Sequence, residues 1–265
     1  MRLLAAHGLR PDTDLGQHFL LDENLVDLAV REARVGPADT VLEVGAGLGV
    51  LTAALARAAG HVHAVEVDRR LEPALRDAVG GAANVTLHWE DALRMALEHL
   101  RPPPTALVAN LPYAIATPLV VESLWRLPGV ERWCVMAQRE VVDRWLAPPG
   151  SRLYGAAPAL LALAVEPTFR RRVGREVFAP RPRVDSALVA LRRIAPAPAP
   201  GVRGLVRAAF ATRRKTVANA LAAAGAAKGD VEAALAVLGR PATARPEQLA
   251  PQELAALAEA LRWTA

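Results

Sequence analysis

Apolar residues along this chain fall into two periods that take turns. Between Asp22 and Arg34 they recur at helical spacing (Leu25, Val26, Leu28, Ala29, Val30), with Asp22 placed as an N-cap and Gly36-Pro37 as the stop. Continuous apolar runs of strand length then alternate with helical stretches. Thr40-Val41-Leu42-Glu43-Val44 runs straight into the glycine-rich turn Gly45-Ala46-Gly47-Leu48-Gly49, and a helix from Val50 to Ala59 follows, closed by Gly60. Runs at 61–68, 84–89, 105–108 and 132–137 predict further strands. Helices are expected at 69–79, at 117–127 with Thr117-Pro118 as its start, and at 139–146. Strand-helix alternation over about 140 residues predicts a doubly wound α/β fold with a largely parallel sheet.

Past Pro148-Pro149-Gly150 the rhythm changes. Tyr154 to Val165 reads as apolar helix or loop, 168–173 and 186–194 as later strands, and 178–185 as a proline-stiffened loop between them. The alternating Ala-Pro stretch 195–200 is a semi-rigid linker, and from Val202 to Arg262 the pattern is wholly helical. A boundary is therefore placed near 197, with a large domain over 1–197 and a small helical, basic domain over 198–265.

Composition narrows the class. With 265 residues, 52% of them hydrophobic, the chain can bury a full core. Its apolar runs stop well short of the roughly 18 residues a membrane helix needs, and the N-terminus lacks a long apolar core with a cleavage site, so the expectation is a cytoplasmic protein with no membrane partner. The single cysteine, Cys134, lies in an apolar run, which excludes a disulfide framework and a cysteine-based metal site. His61 and His63 alternate along a strand and read as strand residues, so no metal is expected. The net charge of +5 hides a segregation: residues 1–167 carry a net −5, whereas 168–265 carry +10. Arginine far outnumbers lysine, and coding bias accounts for that choice of cation but not for the separation of sign. A polyanion gripped mainly by the later part of the chain follows.

The candidate chemistry lies at strand ends. Asn110-Leu111-Pro112-Tyr113 follows a buried strand, and Pro112 stops the ladder, which leaves Asn110 and Tyr113 at the carboxyl rim where open α/β sheets bind ligands. An amide, an aromatic ring and a stiff proline suit a flat heterocycle bearing an amino group. The turn Gly45 to Gly49 has glycines at alternate positions, unlike the dinucleotide fingerprint; it lets backbone approach a ligand, though packing alone also calls for such a joint. Glu66, about 20 residues on, ends the second strand of the series, where a carboxylate can accept ribose hydroxyls, and Asp91 ends the third, where it can accept from an adenine amino group. As an ordered set these read as a site for a nucleoside-bearing cofactor.

Gly16-Gln17-His18-Phe19-Leu20, Glu43 to Gly49, Glu66-Val67-Asp68, Glu90-Asp91-Ala92, Asn110 to Tyr113, Gln138-Arg139-Glu140-Val141, Phe178 to Ser186 and Arg213-Arg214-Lys215-Thr216 follow one another in order. That series resembles the ribosomal RNA adenine N6,N6-dimethyltransferases, and within them the branch acting near the 3′ end of small-subunit (16S) RNA. The resemblance implies a class I S-adenosylmethionine methyltransferase fold: Rossmann-like, a mostly parallel seven-stranded sheet with its seventh strand antiparallel, and a small all-helical C-terminal domain. It implies S-adenosylmethionine over Gly45 and Gly47, with Glu66 at its ribose, Asp91 at its adenine, Asn110 beside it, and His18 and Leu20 lining the same pocket. The family usually has asparagine where this chain has His18. By the same resemblance, Asn110 and the Leu111 carbonyl accept from the target N6, Pro112 stiffens them, and Tyr113 and Phe178 stack on the base. From the charge run itself, Arg213, Arg214 and Lys215 are expected to begin a helix in the basic C-terminal part and to contact RNA phosphates, with Arg203, Arg207, Arg181 and Arg183 as companions. The implied partner is ribosomal RNA in an assembling small subunit, met by a monomer. Two alternatives stand beside this reading: the large-subunit (23S) enzyme of macrolide-type resistance, which more often has isoleucine at the position of Leu111, and a non-catalytic ribosome-assembly or RNA-binding factor.

Overall fold

A computed structural model describes residues 7–12, 15–212 and 214–264. In chain order the elements are β1 (Phe19–Leu20), α1 (Glu23–Ala33), β2 (Thr40–Val44), α2 (Val50–Ala58), β3 (His61–Val65), α3 (Glu72–Val79), β4 (Val85–His88), β5 (Ala106–Asn110), α4 (Tyr113–Arg126), β6 (Arg132–Gln138), α5 (Arg139–Trp145), α6 (Ala156–Ala162), β7 (Val165–Val173), β8 (Phe178–Ala179), β9 (Ser186–Arg193), α7 (Pro200–Phe210), α8 (Val217–Ala223), α9 (Lys228–Val237) and α10 (Pro251–Ala260). Seven strands form one sheet in the order β4-β3-β2-β5-β6-β9-β7. From β4 to β6 every pairing is parallel, and β9 runs antiparallel to β6. This is the mostly parallel α/β architecture that the sequence pattern and the resemblance both called for.

The central strands are apolar because helices must cover both faces of such a sheet. Every residue of β2 is buried, as are Val62 to Val65 of β3 and Ala106 to Ala109 of β5. Helix α1 starts where Asp22 accepts a bond from the Leu25 N–H at 3.1 Å, and it lays Leu25, Val26, Leu28, Ala29 and Ala33 onto the core. Leaving β2 for β3 on one side and returning to β5 on the other, the chain makes a topological switch point between the carboxyl ends of β2 and β5.

Two compact units divide the chain: residues up to Val142 with Pro167–Arg193, and Asp143–Glu166 with Ile194 onward. The first holds the sheet. In the second, α6 and α10 pack on α7, which also meets α8. Leu205, Val206, Leu221, Leu235 and Leu257 are buried in it, and Tyr154 meets Phe210 edge-on at 5.7 Å. The second division falls near the expected boundary at 197, but segment 143–166, read from sequence as part of the large domain, groups with the helices. Its helix α6 buries Pro158, Ala159, Leu160 and Leu161, a short apolar stretch whose partner lies far along the chain.

Local signals misplace two features. Helix α4 begins at Tyr113, four residues before the expected start, and Pro118 lies inside it. Pro112, extended at φ −55° and ψ 138°, is the N-cap; the absent Pro118 N–H leaves the Ala114 carbonyl without its helical donor. The second feature is a separate two-stranded ribbon, β1 antiparallel to β8, with Phe19 opposite Ala179 and Leu20 opposite Phe178. Two residues a side carry no period that a sequence pattern can show.

His63 tests how β3 and β4 are held. It is 1% exposed, with Nε2 2.9 Å from the Pro102 carbonyl and Nδ1 3.1 Å from His88 Nε2. A carbonyl only accepts, so Nε2 carries the hydrogen and Nδ1 accepts from His88. Burial holds its pKa below 6.5, with His61 and His88 pushing the same way and the Pro102 bond opposing. The fold therefore keeps His63 neutral while the unfolded chain takes a proton below 6.5, so its contribution is complete above that pH and declines as pH falls through it. Urea titrations should show the stability advantage over His63→Gln shrinking between pH 7.5 and 5.5, by up to about 1 kcal/mol per pH unit. An advantage equal at both pH values would contradict the assignment.

Candidate active site

At the switch point the carboxyl ends of β2, β3 and β5 surround a cavity of about 300 Å³. Above β2 the turn comes down closely on the end of β5. A Cβ on Gly45, whose φ is +77°, would stand 3.3 Å from Pro112 Cδ and 3.5 Å from the Asn110 carbonyl; one on Gly47, at φ +58°, would meet the Phe19 ring at 3.2 Å. Both positions need glycine for the backbone angle and for the space. Asp91 lines the cavity below β4, and Leu111 and Tyr113 line it beyond β5.

Glu66 follows directly on β3, is buried, and accepts three backbone N–H groups: Gly47 on Oε2, and Val67 and Asp68 on Oε1, each at 2.9 Å. Burial nonetheless raises its pKa, the three bonds opposing. With about four lone-pair positions on a carboxylate, the room left for a ligand hydroxyl is on Oε2. Asp91 is more open. Its Oδ1 accepts from the Leu93 N–H at 2.9 Å, and its Oδ2 lies 3.5 Å from Arg94.

Asn110 is oriented by a single bond: its Nδ2 donates to the His18 carbonyl at 3.2 Å. Because that carbonyl can only accept, the amide cannot be reversed, and Oδ1 is left as the acceptor. Tyr113 begins α4, with its phenol pKa raised by burial and the Ser186 hydroxyl opposing. Phe178, on the ribbon strand β8, lines the same cavity. Ten of the eleven cofactor and acceptor positions expected from sequence therefore share one cavity.

Leu20 is the exception. Alternation along β1 sends Phe19 toward the cavity and packs Leu20 with Leu25, Val26 and Phe178, where it lines instead the adjoining pocket of about 40 Å³ that Gly45, Gly47 and Asn110 also border. His18 does line it, but its Nδ1 is engaged 2.8 Å from the Pro180 carbonyl. Arg181 and Arg183 are exposed on the loop after Phe178. Arg213 lies outside the described residues. Arg214 and Lys215 are exposed but precede α8 in a turn rather than opening it, because the Thr216 side chain caps that helix by accepting from the Asn219 N–H at 3.2 Å.

Two contributors went unselected from sequence. Gln17 is buried, donates to Asp68 Oδ2 at 2.8 Å and accepts from the Asp12 N–H at 2.7 Å, pinning the N-terminal segment to the end of β3. It stands in the Gly16 to Leu20 motif, which gave it no role of its own. Glu43 did leave a signal, as an acid inside a fully buried strand. It is 1% exposed, its Oε2 has no hydrogen-bond partner, and it borders a pocket of about 40 Å³ beside Gly45, Gly47 and Asn110. A buried carboxyl with a bare oxygen at the glycine turn fits a cationic ligand group, and S-adenosylmethionine carries an ammonium and a sulfonium. Among the described residues, no group of three or more His, Cys, Asp or Glu is arranged to hold a metal ion.

Desolvation, opposed by the Thr52 side chain and joined by the charge of Glu66, pushes Glu43 up to about 8. Its folded pKa is above its unfolded value of 4.5, so its contribution is complete below 4.5 and is lost as pH rises through about 8. The stability of the parent relative to Glu43→Gln should fall between pH 5 and pH 9 by up to a few kcal/mol, read by urea titration without cofactor. A pH-independent difference would show that Glu43 does not titrate in this window.

A family model for ribosomal RNA adenine dimethylase matches residues 8–239. Over 256 residues the chain is 48% identical to ribosomal RNA small subunit methyltransferase A of Rubrobacter xylanophilus, covering 96% of each. It is 45% identical to the protein of that name from Thermobifida fusca, covering 97% of this chain and 93% of that one. Among solved structures, the 23S rRNA methyltransferase ErmE aligns over 92% of this chain and 99% of its own, at 29% identity and a TM-score of 0.68. A dimethyladenosine transferase from Plasmodium falciparum shares the fold over 91% of this chain and 96% of its own, at 23% identity and a TM-score of 0.72. With that match over most of its length and relatives at this level of identity, the chain belongs to the ribosomal RNA adenine dimethylase family.

Proposed function

We propose that this protein is the small-subunit ribosomal RNA adenine N6-dimethyltransferase of its source, acting in the cytoplasm as a monomer on an assembling small subunit. Family membership and the names of its relatives support the activity. The observation that carries the site assignment is the Asn110 amide, whose nitrogen is held by the His18 carbonyl so that Oδ1 remains to accept.

When bound, S-adenosylmethionine supplies a methyl group on a cationic sulfur. Glu66 Oε2 and Asp91 would hold its ribose and adenine, and the bare oxygen of Glu43 would receive its cationic group. An adenine N6 amine is a poor nucleophile because its lone pair is delocalised into the ring. Asn110 Oδ1 and the Leu111 carbonyl accept its two hydrogens and favour a pyramidal nitrogen with the lone pair directed at the methyl. Positioning of this kind supplies most of the acceleration, and no strong base is needed. Pro112 stiffens the acceptors, while Tyr113 and Phe178 hold the faces of a base drawn out of its RNA context. Arg181, Arg183, Arg213, Arg214 and Lys215 grip the phosphates.

The rival substrate is large-subunit RNA, favoured by the likeness to ErmE. Incubating the protein and S-adenosylmethionine with small subunits and, separately, with large-subunit RNA, then mapping modified adenosines by mass spectrometry, should place dimethyladenosine in the small-subunit RNA. Modification confined to the large-subunit RNA would reverse the assignment. Asn110→Ala should cut single-turnover methyl transfer about a hundredfold with the fold intact by circular dichroism. Phe178→Ala should weaken productive RNA binding by about ten- to a hundredfold. A rate within a few-fold of the parent for Asn110→Ala, or an RNA affinity within a few-fold for Phe178→Ala, removes the role assigned to that residue.

A further inference from the structure

The positive excess of the later chain is not spread evenly through it. Residues 168–193 hold eight arginines against Glu176 and Asp185, a net of +6, whereas 194–265 hold nine cations against five acids, a net of +4. The denser share therefore lies in the unit that holds the sheet, on and around β7, rather than in the helical unit. Arg193 is turned inward, its guanidinium 5.0 Å from the centre of the Trp133 ring and its Nε donating to the Val130 carbonyl at 2.7 Å. Arg170, Arg171 and Arg172 of β7, and Arg175, Arg181 and Arg183 beyond it, are all exposed.

Strand β7 is the last in the sheet order, so it has an open edge. Alternation sets Phe169 and Val173 against the core with Arg171 between them on that face, and puts Arg170 and Arg172 on the other. The cations thus rim the edge from both sides. The Ile194 N–H donates to the Ala164 carbonyl at 2.8 Å and the Thr168 hydroxyl to the Ala190 carbonyl at 3.4 Å, two bonds of one antiparallel register that brings Arg172 opposite Ser186. Ser186 in turn lies opposite Gln138, at the carboxyl end of β6, and its hydroxyl meets the Tyr113 phenol. The arginine run therefore climbs β7 toward the rim of the cavity. Beyond it the same cations brace the loop that follows Phe178: Arg172 Nε donates to Asp185 Oδ2 at 3.1 Å, and Arg175 to the Arg183 carbonyl at 3.3 Å.

We propose that the open edge of β7, through Arg170 and Arg171, is a docking rail for the sugar-phosphate backbone of the RNA substrate. The inference rests on the reading of the substrate as RNA and adds a grip on the unit that carries the chemistry, leading up to Tyr113 and Phe178. Guanidinium groups suit phosphate because their planar fork can bond two of its oxygens at once. Consecutive arginines on an edge strand have a second use, since they discourage pairing with another chain. That use predicts a change in self-association and none in RNA binding. Arg172 supports the Phe178 loop through Asp185, so the test changes Arg170 and Arg171 instead.

The full-length variants Arg170→Gln/Arg171→Gln and Arg170→Lys/Arg171→Lys are compared with the parent and with Arg57→Gln/Arg76→Gln, which removes equal charge from α2 and α3. The measurements are small-subunit binding between about 50 and 200 mM salt, methyl transfer as a function of subunit concentration, and sedimentation. The rail predicts that the Gln pair binds about tenfold more weakly in the middle of that range, with the slope of log K against log salt smaller by about 1 to 2. The loss appears in the half-saturating subunit concentration rather than in the rate at saturation. The Lys pair and the Arg57/Arg76 control stay within about threefold of the parent in affinity. Parental affinity and slope in the Gln pair overturn the rail, and self-association of that pair with unchanged binding assigns the run to edge protection. An equal loss in the Arg57/Arg76 control reduces the effect to net charge, and a Lys pair as weak as the Gln pair reduces it to a structural role; either overturns the rail. If the parent itself neither binds nor methylates small subunits, the rail falls together with the functional reading, whereas an active parent beside an unimpaired Gln pair removes the rail alone.

Discussion

The parallel register of β2 against β5, Val41 beside Ala106 and Leu42 beside Leu107, is the constraint from which the site follows. These two strands flank the point where the chain reverses its direction of progress across the sheet, so the connections leaving their carboxyl ends diverge and a crevice opens between them. One lip is the glycine turn and the other is the Asn110 to Pro112 rim, close enough that Gly45 has no room for a Cβ without pressing on Pro112. Strand pairing, which is stiff, therefore sets the separation between the surface that receives the cofactor and the groups that receive the base. Loops only complete it.

Electrostatics in the crevice divide the acids by task. Glu66 and Glu43 are both desolvated, and in both burial outweighs the bonds that favour ionisation. Glu66 spends most of its capacity on backbone donors and so fixes the turn over β3, keeping one position for a ligand. Glu43 has an oxygen with no partner at all. A bare buried acceptor of that kind costs stability unless a ligand satisfies it, which is the usual trade at a binding site. Asp68, two residues past Glu66, behaves oppositely. Arg70 bonds both its oxygens and holds its pKa down, and the pair anchors Gln17 and Asp12 of the N-terminal segment at the rim.

The clasp formed by that segment and the Phe178 loop gives the pocket its second side. Neither half belongs to the main sheet, and the two are about 160 residues apart, so ordering them relative to each other carries an entropic cost that a few well-placed bonds must offset. His18, through its side chain to Pro180 and its carbonyl to Asn110, concentrates those bonds at one residue. That arrangement also explains why an amide orientation, ordinarily a free choice, is determined here.

What the sequence by itself determined is whatever arises from neighbours along the chain. Buried strands declare themselves as apolar runs, α1 by its period and its Asp22 cap, and the turn at Gly45 to Gly49 by composition, so the sheet and ten of eleven cavity residues were legible. The tertiary structure alone decided what depends on residues distant in the chain. Pro118 mimics a helix start because the rule for proline is local, while the true N-cap at Pro112 is set by the end of β5. Leu20 lines the small pocket at the glycine turn, apart from the larger cavity, because β1 pairs with a strand 158 residues later. Gln17, the orphaned oxygen of Glu43 and the grouping of 143–166 with the C-terminal helices likewise carry no local period. Hydrogen-bond partners and burial are properties of neighbours in space, and a sequence pattern reports only neighbours along the backbone.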